Sequence, residues 1–402
     1  MLNATSIKAK TYVVGKELAQ GGQGTAYLAT RADRPGEQYV VKQFHTVNPQ
    51  VVERTKHIAT QNFSMYAQTL AAPTDAISTR SELAVVSKYV ANAIPLAELL
   101  EKGPVPKYGE LMQIALQVTH AASYLHPTID AHGDLHAGNV MVRQEPGLWR
   151  AWLIDFDNYA ATAMPPPPAL GFPGYMAPEL LLPKAKPCHA SDVFALAGLV
   201  HELVYLCSPF DGLGPTDADF ERARGGPWIY DPAKPLASFN GAIPIAAQHP
   251  RLVDLFRRAL QPDPLLRPKC QDFFEAFNHI VVNERLGQCS ACGHPFVLHG
   301  TLAGCPKCGA SFARTLVAAN SQKFNVSGAM RFGRNQCGSP YVSEEHVGLD
   351  VKGAELFVTA LSRNSPTLIE TSQGWSVLPP GQTACLMPGV HMRLGDCEFL
   401  AK

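Results

Sequence analysis

Asp134, Asn139 and Asp155 are the residues whose types and spacing could do chemistry. They stand in His132-Gly133-Asp134-Leu135-His136-Ala137-Gly138-Asn139 and in Asp155-Phe156-Asp157. One carboxylate could orient an attacking hydroxyl and accept its proton. An asparagine and a second carboxylate could hold Mg²⁺ over a triphosphate. Upstream, Gly21, Gly22 and Gly24 lie between two strand patterns. Closely spaced glycines let backbone N–H groups approach phosphates without a Cβ clash. Lys42 follows on a strand and could grip the α- and β-phosphates. Taken singly, a glycine hairpin is a turn, a strand lysine is a solvated edge residue and an aspartate is a helix cap. In this order they point together to nucleotide chemistry.

A second set is Cys289-x-x-Cys292 and Cys305-x-x-Cys308, with twelve residues between the pairs. Four thiolates at this spacing close a tetrahedron around Zn²⁺ and leave no open position, so the site would be structural. Gly293, Gly304 and Gly309 permit the tight turns this needs. His294 and His299 are bystanders to a saturated metal. The plain alternative is four free thiols. Cys188, Cys207, Cys270, Cys337, Cys385 and Cys397 show no pairing pattern and read as packing residues.

The elements that must position these residues follow from periodicity. Thr11–Val14, Tyr27–Ala29 and Tyr39–Phe44 read as strands. Leu111, Ile114, Val118, Ala121 and Leu125 recur at helical spacing, and His126-Pro127 ends that helix. Val140–Val142 and Trp152–Ile154 read as a hairpin turned at Pro146-Gly147. Helices follow at Ser191–Cys207 and Arg251–Leu260. From Lys323 onward, short apolar runs alternate with Gly, Pro, Asn and Ser turns, an all-β pattern.

The chain has 402 residues, 46% of them apolar, with 34 basic against 34 acidic side chains. At ~100–200 residues per domain, two or three domains are expected. Zero net charge argues against binding nucleic acid through bulk electrostatics. Val193–Cys207 is too short and too polar to span a bilayer and reads as a buried helix, so no membrane partner is expected. The first residues have no apolar run, so no secretory signal is read there. With ten cysteines, that points to reduced thiols or metal ligands and a cytoplasmic setting.

Residues 10–283 resemble the eukaryotic-type protein kinase family. The motifs above carry the resemblance. So do Gly171–Glu179, like the end of an activation segment, and Ser191–Leu196, like the start of the central C-lobe helix. In Leu266-Arg267-Pro268, Arg267 is similar to the arginine that pairs with the Ala-Pro-Glu glutamate, here Glu179. The resemblance implies Asp134 as catalytic base, Asn139 and Asp155 as Mg²⁺ ligands, and Lys42 on the ATP phosphates beneath the glycine loop. Val85–Val90 leads into the hinge, with main-chain groups near Lys88 and Val90 meeting adenine and Ser87 as a small gatekeeper. Glu179, Asp192 and Arg267 are implied as structural residues, and Glu53 as the one glutamate of the helix after Lys42 that could pair with it. The cofactors implied are ATP, Mg²⁺ and a structural Zn²⁺; the reaction is transfer of the γ-phosphoryl group to a protein Ser/Thr hydroxyl.

The chain departs from the family's pattern at several points. Ala19 and Ala26 replace a glycine and a valine around the loop, and Asp157 replaces a flexible glycine. Gly133 stands where many kinases carry an arginine that receives an activation-loop phosphate. Thr162 is the only Ser or Thr between Asp155 and Glu179, which implies activity not switched by phosphorylation there. His136 replaces a lysine and Phe172 a threonine near the substrate. Two alternatives stand beside the protein kinase. One is a pseudokinase scaffold, favoured by Ala19 and Asp157. The other is a small-molecule kinase of the aminoglycoside or choline phosphotransferase type, which shares His-Gly-Asp-Leu-His.

Phe332-Gly333-Arg334, Ser343-Glu344-Glu345-His346 and Ser362-Arg363-Asn364 fall on three expected loops of the C-terminal block. An arginine with a hydroxyl can hold a phosphate, and an asparagine can hold a peptide backbone. In this order they resemble a forkhead-associated domain. That implies phosphate contacts from Arg334 and Ser343, a peptide contact from Asn364, a supporting His346 and a phosphothreonine-containing partner. Ser365-Pro366 departs from the Gly-Thr usual there. The expected architecture is thus multidomain α+β. A two-lobed protein kinase fold covers 1–285, with the N-lobe about 1–88 and the C-lobe about 89–285. A four-cysteine zinc ribbon covers 286–312 and an all-β forkhead-associated-like sandwich 313–402.

Overall fold

The computed structural model describes residues 3–402 apart from 64–67, 80–81, 105, 168–170, 183, 207, 211–248, 284, 290–291, 299–303, 306, 311–313, 353–354 and 372. Cys207 and His299 of the sequence reading lie outside the described residues. Contacts divide the chain into two units, with the break after Asn283.

The first unit opens with a six-stranded sheet of β1 (Asn3–Thr5), β2 (Thr11–Gln20), β3 (Gly24–Arg31), β4 (Arg34–Phe44), β5 (Pro73–Ser78) and β6 (Leu83–Lys88). The order is β1-β2-β3-β4-β6-β5, antiparallel throughout. Period-2 alternation sends Tyr12, Ala29, Tyr39, Val41, Ile77, Ala84 and Val86 to one buried cluster. Helix α1 (Pro49–Thr60) crosses this sheet at β5. Asn48 caps it by accepting from Val51 N at 2.9 Å, and Pro49 supplies the φ of a first helical turn.

The rest of this unit is mostly helical. It holds α2 (Leu96–Lys102), α3 (Tyr108–Leu125), α4 (His189–Tyr205), α5 (Pro250–Ala259) and α6 (Cys270–Asn283). A small sheet pairs β7 (Ile94–Pro95), β8 (Val140–Glu145) and β9 (Leu148–Leu153). The five periodic apolar positions of α3 are all buried, and α3 packs on α6 and α4. Helix α4 is buried nearly all round, as its unbroken apolar run requires. It begins two residues earlier than expected and stops at Tyr205, where Leu206 turns left-handed at φ +56°. Among the described residues no helix is long and apolar enough to cross a membrane.

Among its described residues the second unit holds a short ribbon of β10 (Arg285–Gln288) and β11 (Pro295–Leu298), followed by ten strands. These are β12 (Arg314–Ala318), β13 (Lys323–Val326), β14 (Met330–Phe332), β15 (Val347–Lys352), β16 (Glu355–Ala360), β17 (Thr367–Thr371), β18 (Gly374–Leu378), β19 (Thr383–Leu386), β20 (His391–Leu394) and β21 (Cys397–Ala401). They form sheets ordered β13-β12-β21-β20-β17-β18 and β14-β15-β16-β19. Leu316, Met392 and Phe399 of the first sheet meet Phe332, Val347 and Val358 of the second in one core. Among its described residues this C-terminal region is all-β apart from one short turn of helix at Arg334–Cys337.

Candidate functional site

Lys42 points from β4 into a group of carboxylates. Its Nζ lies 2.9 and 2.8 Å from the two Asp155 oxygens and 2.5 Å from Asp157 Oδ2. Asp155 sits just past β9 in the left-handed region at φ +59°, a conformation rare for a residue with a Cβ. Burial opposes the charge on Lys42, but Asp157 and Asp155 outweigh it and hold its pKa above the ordinary value. Burial, then repulsion from Asp155, pushes the Asp157 carboxyl up to about 7. Burial also opposes ionisation of Asp155, but Lys42 draws its pKa below the usual carboxylate value.

Asp134 and Asn139 are brought to the same place. Asn139 Nδ2 donates to the Asp134 carbonyl at 2.9 Å. Asn158 Nδ2 donates to Asp134 Oδ2 at 3.1 Å. Gln23 of the glycine loop donates to Asn158 Oδ1, also at 3.1 Å, so the loop tip is tied to Asp134 through one side chain. His136 Nδ1 accepts from Gly138 N at 3.1 Å, which leaves its Nε2 facing Asp134 Oδ1 at 3.8 Å. Burial lowers the His136 pKa, and Phe172 stacks on its ring at 4.3 Å.

The loop carrying Asp134 is held from below. Asp192 of α4, 2% exposed, accepts from His132 N at 2.6 Å and Gly133 N at 3.0 Å. Arg267 makes a two-point ion pair with Glu179 at 2.6 and 2.7 Å. Its guanidinium is fully buried, so removing Glu179 would strand a charge at a cost of about 3–5 kcal/mol. Across the glycine loop Gly21 N donates to Gly24 O at 2.9 Å, and His45 N donates to Gln23 O at 3.0 Å. A Cβ on Gly24 would fall 2.4 Å from Gln43 O, so no other residue fits there. Lys88 and Val90 lie at and just beyond the end of β6, the first exposed and the second half-buried.

The family model described as "Protein kinase domain" matches residues 12–297. The chain belongs to the protein kinase family. Two Arabidopsis thaliana proteins are similar to it. The serine/threonine/tyrosine-protein kinase HT1 is 26% identical over 221 residues, 54% of this chain and 50% of its own. The serine/threonine-protein kinase STY17 is 26% identical over 212 residues, 50% of this chain and 33% of its own. The chain thus spans half or less of these relatives.

A protein kinase domain implies ATP and Mg²⁺. Asp155, one-third exposed, and Asn139, whose main-chain oxygen accepts from the neighbouring Ile154 N at 2.9 Å, carry oxygens suited to a hard cation, and Lys42 presents the countercharge for phosphates. One expectation fails. Glu53 does not meet Lys42: it sits on the solvent side of α1, while its neighbour Arg54 faces inward. Arg54, Thr55, Ile58 and Ala59 form the buried face of this helix, and at about 100° per residue Glu53 falls outside that face. Asp157 holds the place at Lys42 instead. The sequence reading saw Asp157 only as a departure and passed over Gln23, Arg54 and Asn158. Gln23 and Asn158 are ordinary loop residues in sequence, so only the long-range contact marks them.

In the second unit, Cys289, Cys292, Cys305 and Cys308 bring their four sulfurs within 4.8 Å of one another. Cys289 and Cys308 are 3.6 Å apart, Cys292 and Cys305 3.7 Å. A tetrahedron with ~2.3 Å metal–sulfur bonds has edges of about 3.8 Å. The set therefore fits a zinc ion, which these thiolates could hold. Each pair folds alike: Gly293 N donates to Cys289 O and Gly309 N to Cys305 O, with both glycines near φ +70°.

Arg334, Ser343 and the loop around Asn364 converge at one end of the two large sheets. Arg334 N donates to Ser343 O at 2.9 Å, and the Ser343 and Ser362 hydroxyls bond at 2.7 Å. Arg334 and Asn364 are exposed. His346 is wholly buried, with Nδ1 accepting from Ser343 N and Nε2 facing Pro366 O, each at 3.3 Å. A Cβ on Gly333 would collide with Glu344 O, so the loop before Arg334 needs glycine.

Proposed function

We propose that the protein transfers the γ-phosphoryl group of Mg-ATP to protein serine or threonine hydroxyls. The observation that carries this is Lys42 clasped to Asp155 while Asn139 and Asn158 fix Asp134 beside them. Asp134 orients the substrate hydroxyl and accepts its proton. Asp155 and Asn139 hold Mg²⁺, which supplies charge neutralisation along the triphosphate. Lys42 grips the α- and β-phosphates, and the amides of Gly21, Gly22 and Gly24 cover them. Tyr89 N donates to Gln38 O at 3.1 Å, and strand alternation aims the main-chain groups of Lys88 and Val90 the other way, where adenine would lie. Glu179–Arg267 and Asp192 hold the platform. The catalytic domain fills about 1–285.

Incubation with γ-labelled ATP, a basic protein and a pool of small metabolites tests this. Label on protein Ser or Thr is expected. Label on a soluble metabolite would place the chain with small-molecule kinases instead.

Asp157 takes the part expected of Glu53 in fixing Lys42. Its replacement by the family's own glycine, Asp157→Gly, is expected to lower kcat/KM for ATP by about 10–100-fold. A charged hydrogen bond contributes about 1.5–3 kcal/mol, and each 1.36 kcal/mol is tenfold in rate. Steady-state kinetics check it.

Residues 286–312 are a zinc ribbon in this reading, and 313–402 a forkhead-associated-like sandwich that recruits a phosphothreonine-containing partner. Arg334 and Ser343 meet the phosphate and Asn364 the peptide. What supports it is their convergence over a buried, neutral His346, whose pKa burial holds down. Arg334→Ala is expected to weaken phosphothreonine-peptide binding at least tenfold, since a charged hydrogen bond of about 1.5–3 kcal/mol is lost, and to leave basal catalysis unchanged. Titration calorimetry and the kinase assay check the two halves.

A further inference from the structure

Arg54 is a buried cation with no carboxylate in hydrogen-bond contact among the described residues. Only 4% of it is exposed. Its guanidinium instead enters a cage of backbone oxygens from the segment that follows Asp155. Nη1 donates to Pro165 O at 2.7 Å, and Nη2 donates to Asp157 O at 3.1 Å and to Tyr159 O. The guanidinium carbon lies 4.5 Å from the centre of the Tyr159 ring. The contact is reciprocal. Tyr159 OH donates to Arg54 O at 2.9 Å, and His57 Nδ1, one turn further along α1, lies 2.9 Å from the same hydroxyl.

This cage joins three things that the sequence keeps apart: α1, the residues after the metal-binding aspartate, and Lys42. Asp157 is the link. Its side chain is on Lys42 and its carbonyl is on Arg54. A planar guanidinium can serve three acceptors at once because its five N–H groups fan out in one plane; an ammonium cannot match that geometry. Burial of the charge is tolerable only while those acceptors are present, so Arg54 and the segment after Asp155 depend on each other. Gly133 leaves the neighbouring catalytic loop without an arginine to hold a phosphate. Thr162, the one Ser or Thr between Asp155 and Glu179, is already bonded to Asp130 Oδ2 at 2.8 Å.

We propose that Arg54 is a positioning residue that latches the segment 157–165 to α1, keeps Asp157 on Lys42, and so holds the working arrangement without any phosphate on that segment. This rests on the kinase reading above. The latch differs in kind from a phosphate lock. It is made of backbone acceptors, so it is present as soon as the chain folds and no phosphatase can release it.

The test uses the full chain. Wild type treated with a phosphatase and verified phosphate-free is expected to keep its kcat within about twofold. Arg54→Ala is expected to lose kcat about tenfold or more, the loss of one or more charged hydrogen bonds, with a much smaller change in KM for ATP. A cavity of about 160 Å³ already adjoins Arg54, so added guanidinium ion can enter the Arg54→Ala site. It is expected to restore part of the lost kcat at concentrations that leave the wild-type rate unchanged, and no rescue would count against a role for the three carbonyl contacts. Arg54→Lys guards against unfolding of the alanine variant. It keeps the charge and loses the fork, and a folded Arg54→Lys protein should also lose kcat. An unchanged kcat in folded Arg54→Lys or Arg54→Ala would overturn the proposal. So would loss of activity in phosphate-free wild type. If wild type transfers no phosphate at all, the kinase reading fails separately. Hydrogen exchange then decides the latch: faster exchange across 157–165 in Arg54→Ala supports it, and unchanged exchange overturns it.

Discussion

Asp134→Asn is expected to lower kcat by about 10³-fold while nucleotide affinity stays within a few-fold. General-base catalysis contributes roughly 10²–10⁴. The substitution is nearly isosteric. An amide oxygen can still accept from Asn158, and the Asp134 carbonyl that Asn139 reaches is main chain. The loop geometry, set by Asp192 on His132 N and Gly133 N, is untouched. What disappears is the one negative oxygen free to take a proton. Lys42 and Asp155 lie outside the change, so ATP binding should persist. The comparison of kcat with an independently measured nucleotide dissociation constant separates these effects. A matching loss in both would mean that Asp134 holds the site together rather than moving a proton.

The second large effect concerns the four cysteines. Among the described residues their neighbourhood has almost no core of its own: Cys289, Phe296 and Cys305 with Ala310 packed against them. A cluster this small cannot offset the entropy of ordering two knuckles, at about 1–2 kcal/mol per residue for the backbone alone. Metal binding must supply the difference, and structural zinc sites release about 10–16 kcal/mol. The purified protein is expected to hold one zinc ion per chain. Its removal by a strong chelator, or Cys305→Ser, should abolish amide protection in β10 and β11. The kinase assay should register little change, since the catalytic residues all precede Asn283. Metal analysis with hydrogen exchange reads both. Full protection of β10 and β11 in a zinc-free chain would contradict this account.

Much of this was legible in sequence because it was local. The α3 stripe from Leu111 to Leu125 was readable as a period, and the β8–β9 hairpin as two apolar runs around Pro146-Gly147. Asp134 and Asn139 lie five residues apart on one loop, and Cys289 to Cys308 on one ribbon. What was missed depends on which way a helix faces. Glu53 and Arg54 are adjacent and both charged, and the hydrophobic pattern of α1 is too weak to say which points inward. Charge suggested the glutamate as partner for Lys42. The fold instead buried the arginine, because the segment after Asp155 offers carbonyls to it and supplies its own carboxylate, Asp157, to the lysine. Asn158 and Gln23 show the same limit. They meet across 135 positions, and nothing in the residues between them announces it.

Whether Lys42, Asp134, Asn139 and Asp155 transfer phosphoryl groups despite Asp157 and the displaced Glu53 is decided by ATP binding and ATP turnover in the same wild-type sample with Mg²⁺ and a protein acceptor. ATP is expected to bind, and phosphoserine or phosphothreonine to accumulate over many turnovers. ATP bound at full occupancy with no phosphate transferred to any acceptor would contradict a phosphoryl-transfer site, and would leave a nucleotide-binding scaffold in its place.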